Sequence, residues 1–336
     1  MSKVLPVGKL DSSVLQRIVF DKITYKREEV IAGPNIGEDC ALVDFGQYDC
    51  VLSTDPITAA VGDIGRLSIH ISCNDVASNG VLPIGILLTV MLPIGTTEED
   101  IEHIMEDAAR AAELCGVEIM GGHTEITPAV VKPVIVSTAV GRILKNDLSE
   151  NRSVETGDLL YMTKSAGIEG TGIIACDFEE ELSAVLSKEE LEGAKTMLDY
   201  VSVIKEGVIG GEVGTSGMHD ITEGGIYGAV WELCNLSGKG AEVYTDKIPV
   251  SEITKKICAH YDINYLRLIS SGCMIMSVPA SNAEEMERRM AEAGIQFTLV
   301  GKILDEEKGI NAVYDDGHKE EIVPPSSDEL YKVVNR

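Results

Sequence analysis

The chain of 336 residues is 44% hydrophobic but only 4% aromatic, so it can bury an aliphatic core of about two domains. Its formal net charge of −27 argues against binding to nucleic acid or to an anionic membrane, because both need a basic surface. The longest apolar stretch, 81–95, is too short to cross a bilayer and contains two prolines, and no secretory signal is recognised at the N-terminus.

Eight cysteines occur without a C-x-x-C pair. This pattern favours reduced thiols that act as small core residues over a disulfide framework. We therefore expect a cytoplasmic protein.

The N-terminal segment contains Gly8 and Lys9 ahead of a short amphipathic run at 15–19, which predicts a helix. A lysine beside a glycine can close over a phosphate, so Lys9 is a candidate nucleotide-binding residue. The alternative is a solvated tail lysine.

Two short strands are predicted next, at 41–45 and 50–53. Apolar and β-branched residues in both are bounded by glycine and aspartate and separated by the turn 46–49. From Asp63 the apolar residues recur at i, i+3 and i+7, which predicts a helix.

Three aspartates lie at the ends of these elements. Asp39 and Asp55 lie at strand ends, and Asn74 and Asp75 follow the helical stripe by one turn. Carboxylates that converge repel one another unless a cation lies between them, so we expect Asp39, Asp55 and Asp75 to bind magnesium. The alternative for each residue is a turn or surface position without a ligand.

Residues 84–92 form a near-continuous apolar run between prolines, which predicts a strand buried on both faces. Thr96 and Glu99 form a T-x-x-E capping box before a helical pattern at 101–115. A further strand is predicted at 134–140.

A strand-like segment at 117–120 leads into a run that contains Gly121, Gly122, His123 and Glu125. Paired glycines after a strand let the backbone approach a ligand, and this run presents one imidazole and one carboxylate to it. An ordinary Gly-Gly turn is the alternative.

Polar and turn-forming residues accumulate at 146–157, and we place a domain boundary there, which gives domains 1–148 and 149–336. The second domain is predicted to contain a strand at 158–163, a glycine-rich loop at 167–172, a helix capped by Ser187 and Glu190, a helix at 226–236, a strand at 274–278, a helix at 283–293, a strand at 297–303 and a hairpin at 310–323.

The run from His219 to Gly225 places Asp220, Gly224 and Gly225 directly before a predicted helix. Glycines at a helix start expose amide N–H groups at the positive end of the helix dipole, which favours an anion there. A tight contact between a helix and a strand is the alternative. The chain has neither a G-x-G-x-x-G nor a G-K-[ST] loop, which excludes the Rossmann and P-loop classes.

Taken in order, these motifs resemble those of the aminoimidazole ribonucleotide (AIR) synthase superfamily, and within it the hydrogenase expression/formation proteins of the HypE type. The resemblance covers about residues 8–305. It is carried by Gly37-Glu38-Asp39-Cys40-Ala41, Thr54-Asp55-Pro56, Asp63-Ile64-Gly65, Asn74-Asp75-Val76-Ala77, Gly121-Gly122-His123-Thr124-Glu125, His219-Asp220-Ile221-Thr222-Glu223-Gly224-Gly225 and Ser271-Gly272.

The resemblance implies a two-domain α/β fold in which the N-terminal domains of two subunits pair their strands into a shared barrel, with ATP and magnesium in a cleft beside it. Members use ATP to phosphorylate a carbonyl, carboxamide or phosphate oxygen. Such a transfer needs cations on the phosphates and little covalent help from the protein. We therefore expect a homodimer with ATP and Mg²⁺ as cofactors.

By position, the resemblance assigns roles to residues of both domains. The implied metal ligands are Asp39, Asp55 and Asp75, the implied catalytic residues are Asp39, Asp75 and His123, and the implied nucleotide-binding residues are Lys9, Asn74, Gly121, Gly122, Glu125, Asp220, Gly224 and Gly225.

Two features depart from the family pattern. Several relatives have an acidic residue where this chain has His123. The hydrogenase-maturation proteins end in a tail that bears a cysteine, whereas the last cysteine here is Cys273, in a predicted core strand. We therefore expect the nucleotide chemistry of the family with a different acceptor.

The leading prediction is an enzyme dependent on Mg²⁺ and ATP that acts on a small molecule or a partner protein, in a process such as hydrogenase maturation. One alternative is a nucleotide-binding maturation partner without turnover. The other is a purine-pathway cyclo-ligase or an enzyme like thiamin-phosphate kinase.

Overall fold

The computed structural model describes residues 10–58, 63–145, 153–324 and 327–334. The N-terminal half contains α1 (Ser12–Ile18), β1 (Val30–Ala32), β2 (Ala41–Phe45), β3 (Tyr48–Ile57), α2 (Ile64–Ser78), β4 (Pro83–Leu92), α3 (Glu98–Cys115), β5 (Glu118–Ile126) and β6 (Val134–Leu144). The C-terminal half contains β7 (Leu159–Thr163), α4 (Ile168–Asp177), α5 (Glu179–Leu182), α6 (Lys188–Lys195), α7 (Ile204–Val213), β8 (Gly217–Asp220), α8 (Gly225–Ser237), β9 (Lys239–Tyr244), α9 (Glu252–Tyr261), β10 (Met274–Val278), α10 (Ala283–Glu292), β11 (Phe297–Asp305), β12 (Ile310–Val313), β13 (Lys319–Glu321) and α11 (Tyr331–Val334). The predicted α/β class is confirmed.

The first sheet has the strand order β1-β2-β3-β6-β4-β5. Its strands are antiparallel except for β4 and β5, which run parallel and are connected by α3, as a parallel pair requires. Alternate residues such as Val51, Ile86 and Ile135 point to one face, where they form a core with α2 and α3.

The opposite face of the first sheet carries exposed apolar side chains. Ile84 and Leu87 of β4 and Met120 of β5 are all exposed there. The prediction that β4 is buried on both faces is therefore wrong for a single chain, because helices cover one face only. In the described part of the chain β5 pairs with β4 alone, so its outer edge is open.

The second sheet has the order β13-β12-β9-β11-β7-β10-β8 and is antiparallel except between β9 and β12. Helices cover both faces. Leu160 and Met162 of β7 point into a core that includes residues of α4, α6, α8 and α9. Tyr161 points to the other face, where it packs with Met286 and Met290 of α10.

Several predicted elements differ from the structure in detail. The Gly121–Glu125 run lies within β5, because residues 118–126 pair continuously with β4, apart from a register shift. The capping box of α3 is formed by Thr97 and Asp100, one residue later than predicted. The predicted loop 167–172 is mostly the start of α4, whose first residues are buried. The capping box at Ser187 and the hairpin of β12 and β13 are confirmed.

The two sheets are joined through α2, which contacts α7 and β8 of the C-terminal half. The predicted boundary between residues 148 and 149 lies outside the described residues and stays a prediction. No helix in the described ranges is long and apolar enough to cross a membrane.

Candidate functional site

The candidate site is organised around the C-terminal end of α2. This helix packs against β3 and β6 on one side and α7 and β8 on the other, so nearly all its residues are buried. Polar side chains near its end therefore lie inside the protein, and Asn74 and Asp75 are both buried.

Asp75 lies beside β3. The Ser53 hydroxyl donates a hydrogen bond to the Asp75 carboxylate and contacts Asp55 Oδ2 at 3.3 Å. Burial, reinforced by the charges of Asp220, Asp55 and Asp39, holds the pKa of Asp75 well above its ordinary value. The structure thus brings the three predicted metal ligands into one electrostatic cluster and adds Asp220 to it.

Asp220 ends β8 and reaches α2 from the C-terminal half. Its side chain is completely buried, and the Ser78 hydroxyl of α2 donates to its Oδ1 at 3.4 Å. Carboxylates from both halves of the chain therefore meet at the end of α2.

Asp39 is placed by the loop before β2, which packs against α8. Gly37 in this loop has a φ of +82°, and a Cβ there would lie 2.9 Å from the carbonyl oxygen of Glu232, so the close approach requires glycine. The Asp39 side chain is 29% exposed and lines a cleft of about 410 Å³ between the two halves. The cleft gives solvent a route to the edge of the cluster.

His219 of β8 adds an imidazole beside these carboxylates. Its Nδ1 lies 2.6 Å from the backbone carbonyl oxygen of Asp220, so Nδ1 carries a proton and donates it there. Its Nε2 lies 3.5 Å from Asp39 Oδ2 and 3.4 Å from Glu232 Oε2. Burial lowers the pKa of His219, but Asp39, Glu232 and Asp220 together outweigh it and raise the pKa to about 9.

This set of residues fits a divalent cation. The charges that raise the pKa of Asp75 are all carboxylates, and a cation among them would relieve their repulsion. Carboxylate and hydroxyl oxygens are the donors that Mg²⁺ prefers. Ligand atoms of Asp39, His219 and Asp220 all lie within 4.8 Å of one another.

Asn74, predicted to bind nucleotide, has a different role in the structure. Its Nδ2 donates to the carbonyl oxygen of Val201 at 2.7 Å, and its Oδ1 accepts from the Val203 N–H at 2.9 Å. Both ends of the buried amide are therefore bonded to the segment before α7. Asn74 fastens α2 to the C-terminal half and is not kept as a nucleotide ligand.

His123 and Glu125 are not part of the aspartate cluster. Both are exposed on β5, where His123 Nε2 lies 3.3 Å from Glu125 Oε2. Across the sheet, His123 of β5 pairs with Thr89 of β4, Thr89 pairs with Val136 of β6, and Val136 pairs with Pro56 of β3, the residue after Asp55. Three strand spacings therefore separate His123 from Pro56, a distance of about 14 Å. Within one chain His123 is therefore not close to the aspartates, and its catalytic role stays a prediction.

The two glycines before His123 differ in their surroundings. A Cβ at Gly122 would come within 1.8 Å of the Leu88 carbonyl oxygen, whereas one at Gly121 would meet only the Leu87 side chain at 3.7 Å. Gly122 is therefore required by the contact between β4 and β5, whatever lies outside the sheet.

The anion predicted for Gly224 and Gly225 is supplied by the chain itself. Asp328 Oδ2 accepts a hydrogen bond from the Gly224 N–H at 2.7 Å, at the start of α8. The Gly225 N–H donates to the Thr222 carbonyl oxygen at 3.1 Å. Both amides have a partner within the chain in this structure, and the nucleotide-binding role of the two glycines stays a prediction.

Lys9 lies outside the described residues. The structure also contributes site residues that sequence reasoning did not assign: His219, Glu232, Ser53 and Ser78. A signal existed for His219 and Ser53, since each lies within one or two residues of an assigned aspartate. Glu232 and Ser78 are brought in only by tertiary packing.

These features define a two-domain α/β protein with a carboxylate-rich centre between its halves. The chain belongs to the AIR synthase related family: residues 37–143 match the N-terminal domain of these proteins and residues 155–313 match the C-terminal domain. The resemblance inferred from the motifs is confirmed.

Curated relatives and solved structures cover most of the chain. It is 26% identical to a putative hydrogenase expression/formation protein of Methanocaldococcus jannaschii, over 92% of this chain and 93% of that protein. It is 24% identical to the carbamoyl dehydratase HypE of Escherichia coli, over 83% and 81%.

Among solved structures, a HypE–HypF complex has a TM-score of 0.74 at 21% identity, covering 93% of this chain and 99% of that one. A hydrogenase maturation protein HypE in complex with ATP has a TM-score of 0.71 at 22% identity, covering 98% of each. At this level of identity, the structural likeness establishes the fold.

Proposed function

We propose that this chain is a Mg²⁺- and ATP-dependent enzyme that phosphorylates an oxygen atom of a small-molecule or protein acceptor. The observation that carries the proposal is the convergence of Asp75 with Asp55, Asp39 and Asp220 at the junction of the two halves. When bound, Mg²⁺ would neutralise the phosphate oxygens of ATP and so favour phosphoryl transfer.

The residues around the cluster have distinct roles in this proposal. Asp75, Asp55 and Asp220 supply carboxylate oxygens to the cation from three separate elements. Ser53 and Ser78 hold those carboxylates in place through their hydroxyls. Asp39, at the wall of the cleft, is a further carboxylate ligand for the cation and the one closest to solvent and to an incoming nucleotide.

The names of relatives support the same chemistry. A structural relative is described as a complex with ATP, and a curated relative as a carbamoyl dehydratase of hydrogenase maturation. The complex of HypE with HypF favours a protein as one kind of acceptor or partner.

The burial of the cysteines argues against a thiol of this chain as the acceptor. All eight are free. Cys176 is exposed, but the partial burial of its thiol and the nearby acids raise its pKa to about 11. Cys115 is the one whose pKa is lowered, to about 5, by the Cys73 thiol and by His70, and it is buried. An acceptor thiol must be both exposed and ionised.

We also propose a homodimer. The open face of the first sheet exposes Ile84, Leu87 and Met120, and a second copy pairing along β5 would cover it. Light scattering at micromolar concentration should show a dimer, and Leu87→Lys should convert it to a monomer. A monomeric wild-type protein would contradict this part of the proposal.

Calorimetric titration with Mg-ATP tests the site. Asp75→Asn and Asp55→Asn keep the side-chain shape but remove a negative charge, so each should weaken Mg-ATP binding by about tenfold or more. Asp262→Asn is the control, because Asp262 caps α9 in a left-handed conformation that asparagine also adopts. Unchanged affinity in both site variants would overturn the proposed site.

An ATPase assay separates an enzyme from a binding partner. We expect slow ATP hydrolysis by the pure protein that rises when a candidate acceptor is added. Tight Mg-ATP binding with no turnover under any acceptor would favour the nucleotide-binding maturation partner.

A further inference from the structure

We propose that His219 is a nitrogen ligand, together with Asp39 and Asp220, for a transition-metal divalent cation such as Mn²⁺. This inference rests on the proposed function and concerns the identity of the ion at the same centre. It assigns a ligand that oxygen-only coordination of Mg²⁺ does not need.

The hydrogen bonding of His219 prepares its second nitrogen for a metal, which displaces the Nε2 proton to solvent when it binds. Nδ1–H donates to the backbone carbonyl oxygen of Asp220 at 2.6 Å, which fixes the orientation of the ring and directs Nε2 towards Asp39. Histidines that bind metals commonly donate their other ring N–H to a carbonyl or carboxylate in this way.

The distances favour a shared ion over a direct ion pair. A hydrogen bond between a charged imidazole and a carboxylate is about 2.7–2.9 Å long, whereas His219 Nε2 lies 3.5 Å from Asp39 Oδ2. Two ligands each about 2.1 Å from one ion lie about 3.0–3.4 Å apart, depending on its coordination geometry. The observed separation of 3.5 Å is closer to this distance between two ligands than to the length of a hydrogen bond.

The burial of His219 provides an independent observation. The side chain is 3% exposed, and its Nε2 makes no hydrogen bond of ordinary geometry with the described residues. A polar atom in this position normally has a partner. The cleft beside Asp39 provides the access route that an ion needs, and Glu232, 3.4 Å from the same nitrogen, adds negative charge around it.

The mixture of donors decides which ions bind best. First-row transition-metal ions bind sites that contain nitrogen with an affinity that rises from Mn²⁺ through Co²⁺, whereas Mg²⁺ strongly prefers oxygen ligands. With His219 as a ligand, the centre should therefore bind Mn²⁺ more tightly than Mg²⁺, and the difference should depend on Nε2.

Electron spin-echo spectroscopy on the full chain loaded with Mn²⁺ tests this directly, because it detects a nitrogen bound to the ion. We expect a nitrogen coupling in the wild type that is lost in His219→Asn. Asparagine retains a donor close to the position of Nδ1–H but has no counterpart of Nε2. The matched control is His103→Asn, which removes an exposed histidine that also lies near a carboxylate, Asp107, and should keep the coupling.

Titrations with Mn²⁺ and Mg²⁺ give a second readout. His219→Asn should weaken Mn²⁺ binding by about tenfold or more and Mg²⁺ binding by less than about threefold. Should His219→Asn not fold, Asp39→Asn replaces it and should likewise weaken Mn²⁺ binding, and the wild-type spectrum alone still decides whether nitrogen is bound.

The outcomes distinguish this inference from the proposed function. Mn²⁺ bound without a nitrogen coupling, or with a coupling that persists in His219→Asn, overturns the inference. Sensitivity of Mg-ATP binding to Asp75→Asn would leave the proposed function standing in that case. If the wild type binds neither Mn²⁺ nor Mg-ATP, both fall.

Discussion

Two groups of buried carboxyls in this protein obtain their hydrogen bonds from different sources. In the C-terminal half, Asp328 accepts from the backbone N–H groups of Gly224 and Leu330, and Glu169 accepts from the Ser271 N–H. Burial raises the pKa of both carboxyls to about 7, although these amides oppose the shift. The fold itself provides fixed partners for these two acids.

At the junction of the halves, the acids have hydroxyls, the His219 imidazole and other acids as neighbours. Ser53 donates to Asp75 and Ser78 to Asp220, while the neighbouring carboxylates add to the effect of burial on the Asp75 pKa. Repulsion of this kind destabilises the free protein. The arrangement of carboxylates becomes favourable only when a cation binds among them. This difference underlies our proposal that the first group belongs to the fold and the second binds an ion.

Asn74 and Asp75 are adjacent on α2 and should behave in opposite ways. Asn74→Ala leaves the Val203 N–H and the Val201 carbonyl without their partner, so we expect the free energy of unfolding to fall by about 3 kcal/mol, with or without Mg²⁺. Urea unfolding in EDTA measures the loss. The control is Asn235→Ala, an exposed position on α8, which should change stability by less than about 0.5 kcal/mol. A loss of stability that depends on Mg²⁺ would instead show that Asn74 takes part in ion binding.

Asp75→Asn should remove the response to Mg²⁺. Wild-type protein at a Mg²⁺ concentration about 100 times Kd should gain about 2.7 kcal/mol in free energy of unfolding. The variant should gain less than about 1 kcal/mol, yet be at least as stable as the wild type in EDTA at pH 8, because one of the repelling charges is gone. A variant that is less stable in EDTA and still responds fully to Mg²⁺ would place Asp75 in the fold-stabilising group.

Much of this arrangement is predictable from the sequence, and the remainder has a physical reason. Glycine and aspartate beside short apolar runs predict β2, the centre of β3 and α2, because periodicity and turn residues are local signals. The structure extends β3 from Tyr48 to Ile57, so Asp55 lies within the strand and not at the predicted strand end. The hydrogen bond from the Gly224 N–H to Asp328 joins residues 104 positions apart, so no local sequence pattern predicts it. The surroundings of His219 likewise depend on Glu232, which lies on the facing helix α8, and on the loop before β2, whose close approach to that helix requires Gly37.

The β4–β5 edge shows the same limit. The Gly-Gly pair predicts a segment whose backbone approaches a ligand, with an ordinary turn as the alternative. In the structure the strand continues through the pair, because Gly122 fits against the Leu88 carbonyl. A close contact between backbones leaves no signal in a single sequence other than the glycine itself. The same residue type therefore predicts both a phosphate loop and a tight sheet.

Glu169→Gln should change how stability depends on pH. The folded pKa of about 7 lies above the ordinary value for an unfolded chain, so the stabilisation from the bound proton is complete below about pH 4.5 and is lost as the pH rises through 7. Glutamine keeps the shape and stays neutral. From pH 5 to pH 8 in EDTA, the variant should lose about 2 kcal/mol less free energy of unfolding than the wild type. Glu284→Gln, at an exposed position on α10, is the control and should follow the wild type. Parallel curves for Glu169→Gln and wild type would show that Glu169 is ionised in the folded protein throughout this range.

Cys40 and Asp39 are adjacent, and their variants test the difference between a buried core residue and a member of the carboxylate cluster. The expected effects are the smallest of those predicted. Cys40 is buried, and burial together with Asp75, Asp39 and Glu38 raises the pKa of its thiol, so we expect it to be neither a nucleophile nor an ion ligand. Cys40→Ala should cost about 1 kcal/mol for the small cavity and leave Mg-ATP affinity within about threefold of the wild type. Asp39→Asn should lower that affinity by about tenfold, because it removes a carboxylate from the cluster. Calorimetry on both folded variants decides between them. Equal losses of affinity in the two, or a covalent adduct found on Cys40 by mass spectrometry after incubation with ATP and an acceptor, would show that the thiol belongs to the reactive centre.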